Sequence, residues 1–105
     1  MQTIKSKQDF AMVFKNGKRL FHPAVRIVFI PSTQTTRVAY CAPKKIGCAP
    51  LRNRCKRLLR AAVRDIPYVP QNFDVIMFAT HKTKAYSSCE LSKIVNKLLH
   101  SITTT

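Results

Sequence analysis

The sequence predicts a small α/β (α+β) two-layer sandwich, and three observations lead there. Segments 51–66 and 91–102 repeat apolar residues at helical spacing. Segments 24–30 and 73–79 are apolar runs of strand length, bounded by turn residues. The two kinds alternate along only 105 residues, a length that suits one domain with strands and helices in packed layers. No repeat or linker divides residues 1–105, and Thr103 to Thr105 read as a frayed tail.

Taken in order, a first helix is expected from Lys7 to Asn16, capped by Ser6 with Asp9 three residues on. Phe10, Val13 and Phe14 share one face of it, and Gly17 stops it. Extended chain follows from Arg19 to Ile30. Pro23 breaks it into a short strand and a longer one at Ala24–Ile30. Residues 32–36 read as a hairpin connection to a strand at Arg37–Ala42, and Pro43 to Gly47 as a loop. Pro50 fits the first turn of a second helix, and Pro67 and Pro70 end it. The run Phe73–Ala79 predicts a strand covered on both faces. Ser87 and Glu90 form a capping box, and Leu91, Ile94, Val95, Leu98, Leu99 and Ile102 stripe the last helix.

Charge narrows the function. Nineteen Lys and Arg face four acidic residues, a net charge of +15. Such self-repulsion is best tolerated beside a polyanion, with nucleic acid first and an anionic membrane surface second. No run is long and apolar enough to span a membrane, and the N-terminus lacks the apolar core of a signal peptide. The expectation is therefore a cytoplasmic protein whose four cysteines are free thiols.

The charge concentrates on the helix 51–65. On a helical wheel Leu51, Cys55, Leu58, Leu59, Ala62 and Ile66 gather on one side. Asn53, Lys56, Arg57, Arg60 and Arg64 gather opposite, with Arg52 and Arg54 at the edges and Lys44 and Lys45 just ahead. A solvated structural helix usually interleaves Glu with its cations, but here the first acid is Asp65 at the far end. Arginine's planar fork and permanent charge suit phosphate. The strip reads as a nucleic-acid contact rather than an idle basic face.

The stretch from Lys44 to Arg60 reads Lys-Lys-x-Gly-x-x-x-x-Arg-Asn-Arg-x-Lys-Arg-x-x-Arg, and there the chain resembles the protein subunit of bacterial ribonuclease P. Asp9-Phe10, Val13-Phe14 and Gly17 resemble that family's N-terminal helix, and Asp74-Val75-Ile76 its fourth strand. The resemblance implies the order α-β-β-β-α-β-α with a left-handed βαβ crossover. It implies a role in tRNA processing, in which a catalytic RNA subunit cleaves precursor tRNA to release the mature 5′ end. It implies that Lys44, Lys45, Arg52, Asn53, Arg54, Lys56, Arg57 and Arg60 face the RNA, joined by Arg64 from the wheel. Phe10 and Phe14 would line a cleft for the 5′ leader, floored by Ala24–Ile30, where bases can stack on rings. Core packing is the competing account of both rings. An aromatic common on the family's cleft strand falls at Val28, beside Phe29. A basic residue common after the fourth strand is Thr80 here, with Lys82 and Lys84 near. One protein chain is expected to work with one RNA, and Mg2+ to sit mainly on RNA phosphates.

Other chemistry has little support. Asp9, Asp65, Asp74 and Glu90 fall on four elements, so the carboxylate cluster of a metal nuclease is not expected. Cys41, Cys48 and Cys55 are seven apart, unlike zinc-ligand spacing, and core thiols are the better account. His22, His81 and His100 form no legible triad and read as surface or RNA-proximal residues. Two alternatives stay open: a small basic ribosomal or RNA-assembly protein, and a DNA-binding regulator. The second is weaker because few residues of the strip look placed to read base edges.

Overall fold

The computed structural model describes residues 2–4, 7–33, 35–66 and 71–103. The elements are β1 (Gln2–Thr3), α1 (Lys7–Asn16), β2 (Lys18–His22), β3 (Val25–Pro31), β4 (Arg37–Cys41), α2 (Ala49–Arg64), β5 (Phe73–Ala79) and α3 (Ser88–Thr103). Short 3-10 turns at Lys44–Ile46 and Thr83–Ala85 precede α2 and α3. Apart from β1, this is the α-β-β-β-α-β-α order. β1 is too short to leave a sequence pattern. Thr103 belongs to α3 and not to a frayed tail. The expected cap Ser6 and the stops Pro67 and Pro70 lie outside the described residues.

One mixed sheet runs in the order β1-β4-β5-β3-β2. β5 pairs antiparallel with β3 from Val25↔Ala79 to Pro31↔Phe73, and parallel with β4 from Arg37↔Asp74 to Cys41↔Phe78. The expected hairpin across residues 32–36 is therefore corrected, because β3 and β4 are not neighbours. β5, apolar on both faces, takes the place between them, where both its edges are hydrogen-bonded. The hairpin is instead β2–β3, which pairs Lys18↔Phe29 to His22↔Val25 around Pro23 and Ala24. The parallel pair β4–β5 is joined through α2, so the basic helix is the crossover.

Strand alternation sorts the core into two sides. Val25, Ile27 and Phe29 of β3 and Val75, Met77 and Ala79 of β5 pack with Cys55, Leu59 and Val63 of α2 and Val95, Leu99 and Ile102 of α3. Each fully buried large side chain here, such as Leu59 or Leu99, contributes roughly 1.5–3 kcal/mol. The opposite face meets α1 through Val13, Val28, Ala39 and Ile76, with Ile4 alongside. One short helix covers that face only in part and leaves a cleft beside its C-terminal end. The α3 capping box forms as expected: Glu90 N donates to Ser87 Oγ (3.2 Å), and Ser87 N to Glu90 Oε1 (3.3 Å).

Candidate nucleic-acid interface

Helix α2 begins one turn before its strip, with Pro50 in the first turn and Cys48 as N-cap. Gly47 turns the chain into it at φ 149°, a conformation that a side chain would strain. Cys55, Leu59 and Ala62 are fully buried, as the wheel requires, and Val63 joins them. The outward side presents Asn53, Arg54, Arg57, Arg60 and Arg64, all exposed, while Arg52 and Lys56 are half-buried at the edges. Arg52 Nε is shut away without an acceptor among the described residues, which leaves its terminal nitrogens to meet a ligand. Among the described residues no acidic side chain pairs with any cation of α2; the ion pairs found there belong to Arg37. Arg60 lies over the Tyr40 ring (5.5 Å to the centroid), which holds its guanidinium above the end of β4. Burial pushes the Tyr40 hydroxyl pKa up, and the Arg60 charge partly offsets this. Lys44 and Lys45, exposed on the 3-10 turn, extend the positive strip ahead of α2.

A cleft of about 290 Å³ opens on the α1 side of the sheet. Phe14, Val28 and Phe78 supply apolar wall, and Arg19, Arg26, Lys45 and His81 supply positive or polar edge. No Asp or Glu lines it. The expectations divide here. Phe14 and Val28 line the cleft, and Phe14 is 43% exposed. Phe10 does not line it. Its ring packs edge-on to Phe78 (6.4 Å) within the small core under α1, so for Phe10 the core account holds. Lys82 is exposed but outside the lining; Thr80 and His81 stand there instead. Sequence reasoning missed Arg19, Phe21 and Arg26. Their signal was slight: Arg19 and Phe21 stand two apart on one face of the strand after Gly17, and Arg26 reaches that face only once the hairpin pairs it with Phe21.

Three devices hold the cleft walls. Gly17 N donates to Val13 O (2.7 Å) and ends α1 directly against β3. A Cβ on Gly17 would stand 2.7 Å from Val28 Cγ1 and 2.9 Å from Phe29 O, so only glycine fits. At the far end of α1, Arg37 donates from Nη2 and Nε to Asp74 (2.7 and 3.0 Å) and from Nη1 to Asp9 (3.1 Å). These bonds, Asp74's first, hold the Arg37 pKa above the ordinary arginine range. Beyond β5, the fully buried Thr83 donates from Oγ1 to Ala24 O (2.6 Å) and accepts from Thr80 N (2.8 Å). Thr80 Oγ1 donates to Pro23 O (2.5 Å). Together they tie residues 80–83 to the β2–β3 turn and set His81 at the rim.

The remaining expectations meet mixed outcomes. The four acids do fall on different elements, and Arg37 bridges two of them, Asp9 of α1 and Asp74 of β5. No three His, Cys, Asp or Glu converge on a metal-sized site among the described residues. The cysteines are free, but only Cys55 is a core thiol; Cys41 is half-buried, and Cys48 and Cys89 are exposed. His22 Nδ1 accepts from Ala24 N (3.0 Å) in the hairpin turn, while His81 and His100 are exposed. No helix among the described residues is long and apolar enough to cross a membrane.

Comparison with known proteins agrees with this geometry. A family model described as Ribonuclease P matches residues 1–103. The "Ribonuclease P protein component" of Caldanaerobacter subterraneus subsp. tengcongensis is 33% identical over 98 residues, covering 91% of this chain and 84% of that protein. That of Dehalococcoides mccartyi strain CBDB1 is 27% identical over 97 residues, covering 91% and 80%. Among solved structures, the Staphylococcus aureus RNase P protein superposes with a TM-score of 0.79 at 21% identity, over 98% of this chain and 95% of that one. The Thermotoga maritima protein superposes at 0.80 and 22% identity, over 94% and 96%. At such identity the structural likeness speaks for the fold.

Proposed function

Because this chain belongs to the ribonuclease P protein family, we propose that it divides two RNAs between two surfaces. It is the protein component of a ribonucleoprotein endonuclease of tRNA processing and works with an RNA subunit. The strip of α2, with Lys44 and Lys45, holds that RNA subunit. The cleft beside α1 takes the single-stranded 5′ leader of precursor tRNA. The RNA performs the hydrolysis in the cytoplasm with Mg2+ on its own phosphates, and one protein chain serves one RNA.

The observation that carries this reading is the unpaired cationic face of α2. Five exposed residues and two half-buried ones present guanidinium, ammonium or amide groups without an acidic partner among the described residues. Arginine forks grip phosphate by paired hydrogen bonds, and the apolar back of α2 fixes them to the sheet and to α3. Acid-free walls with two open rings, Phe14 and Phe21, and two arginines suit a single strand, whose bases stack while its phosphates meet charge. The family favours this assignment over a ribosomal or assembly protein.

Reconstitution tests it. The chain, mixed with a bacterial ribonuclease P RNA and precursor tRNA at low Mg2+, restores cleavage at the mature 5′ end. A folded protein that leaves the RNA inactive there would refute the reading. Competition by leaderless tRNA, weaker than by precursor, checks the cleft separately.

A further inference from the structure

Phe21 is 68% exposed, more than any other large apolar side chain among the described residues. It stands on β2, an edge strand, yet lines the cleft. Its cross-strand partner Arg26 lays a guanidinium over the ring, 5.7 Å from the centroid. The same pairing recurs at Phe14, where Arg19 stands 4.9 Å from the ring centroid. Val28, diagonal to Phe21 in the β2–β3 register, contributes no ring. The hairpin thus backs two aromatic rings with arginine on the α1 side of the sheet, its own Phe21 and Phe14 of α1.

Their positions give the steps an order. Pro43 and Lys45, which follow β4 and lead into α2, line one end of the cleft, and Phe21 on β2 lines the other. The strand order β4-β5-β3-β2 puts three interstrand steps between these ends, roughly 14 Å at about 4.8 Å each. That is room for more than one base. An RNA subunit seated on α2 lies at the Lys45 end, so a leader running away from it reaches Phe21 last.

Building on the reading of the cleft as the leader site, we propose that Phe21 and Arg26 form an outer stacking step, which takes a leader base farther from the cleavage site than the base at Phe14. Charge selects RNA as the occupant: the lining holds two arginines and a lysine but no acid. A phenyl ring with a guanidinium over one face and solvent elsewhere offers a stacking surface to any base. The chain therefore senses leader length through β2, without reading leader sequence there.

The test uses the reconstituted holoenzyme and precursor tRNAs whose leaders grow one nucleotide at a time from none. Wild type gains affinity in two increments as the leader lengthens. Phe21→Ala loses the outer increment, a drop of about fivefold or more with long leaders. It matches wild type with short leaders and in assembly with the RNA subunit. Phe21→Trp keeps the increment. Equal affinities of Phe21→Ala and wild type at every length overturn the proposal, as does an equal loss with leaderless tRNA or a loss of subunit assembly. If wild type itself ignores leader length, the cleft reading fails and this step with it. If wild type responds and Phe21→Ala follows it, only the role of Phe21 fails.

Discussion

Arg57 and Arg60 are where binding and folding should separate. Both are exposed on α2, on the side away from Cys55 and Leu59. Among the described residues Arg57 has no acidic partner, and Arg60 meets the Tyr40 ring. Arg57→Ala should change stability by less than about 0.5 kcal/mol. Arg60→Ala should cost about 0.5–1 kcal/mol because its guanidinium leaves the ring. Each should weaken assembly with the RNA subunit and flatten the slope of log K against log salt by about 0.7–0.9 for each phosphate the protein no longer neutralises. Titrations across a salt series, with melting curves of the free protein, measure both quantities. A large fall in melting temperature with an unchanged slope would make these arginines structural. The strip was readable in sequence because helical period and the absence of acids are local facts. Gly17 shows the opposite case. Its pattern says only that a helix stops, whereas its place depends on Val28 and Phe29 meeting it from another strand. Phe10 and Phe14 likewise look equivalent on the wheel and both meet Phe78 edge-on, and only the fold separates them, leaving Phe14 open to the cleft while Phe10 packs into the core under α1.

Among the three helices, α1 buries the fewest apolar side chains, so its ion bridge carries more of its attachment. Val13 is its one fully buried side chain. Arg37 ties it through Asp9 to a pair whose other member, Asp74, is 8% exposed. Removing one partner of a buried pair leaves the other charge uncompensated, at a cost of roughly 3–5 kcal/mol. Arg37→Met should therefore destabilise the whole sheet by about 3 kcal/mol in denaturant unfolding. Asp9→Asn leaves the Arg37–Asp74 bonds in place, and the Asp9 side chain is 40% exposed. It should cost under about 1 kcal/mol, yet loosen α1 and weaken binding of long-leader substrate. Equal destabilisation by the two substitutions would contradict this ranking. The elements themselves were legible, because period, caps and turn residues act locally: α1 begins and ends where expected, and the Ser87–Glu90 box forms. The order of strands was not. Residues 32–36 have hairpin composition, but β5 enters between β3 and β4 from 42 residues beyond Pro31, and no local pattern records such a pairing.

Over the whole molecule the charge of +15 sets opposite salt responses for folding and for binding. Repulsion among solvent-exposed cations such as Arg54, Arg57 and Arg64 opposes the compact state. Screening weakens it once the Debye length falls below their spacing, from roughly 10 Å at 0.1 M to 3 Å at 1 M. The attraction that salt would also screen is small here, since the ion pairs among the described residues centre on Arg37, whose side chain is only 16% exposed. The free protein should thus melt higher as salt rises from low to near-molar concentration. Assembly with RNA depends on releasing counterions from phosphate, so the same salt must weaken it. The complex, more stable than the free protein at low salt through bound ligand, should lose that advantage until the two melting temperatures meet. Calorimetry of the protein alone and with its RNA, across one salt series, measures both trends. A melting temperature of the free protein that falls with salt would mean that attractive ion pairs outweigh the repulsion. The basic strip would then be part of what holds the fold together, and not a surface kept uncompensated for RNA.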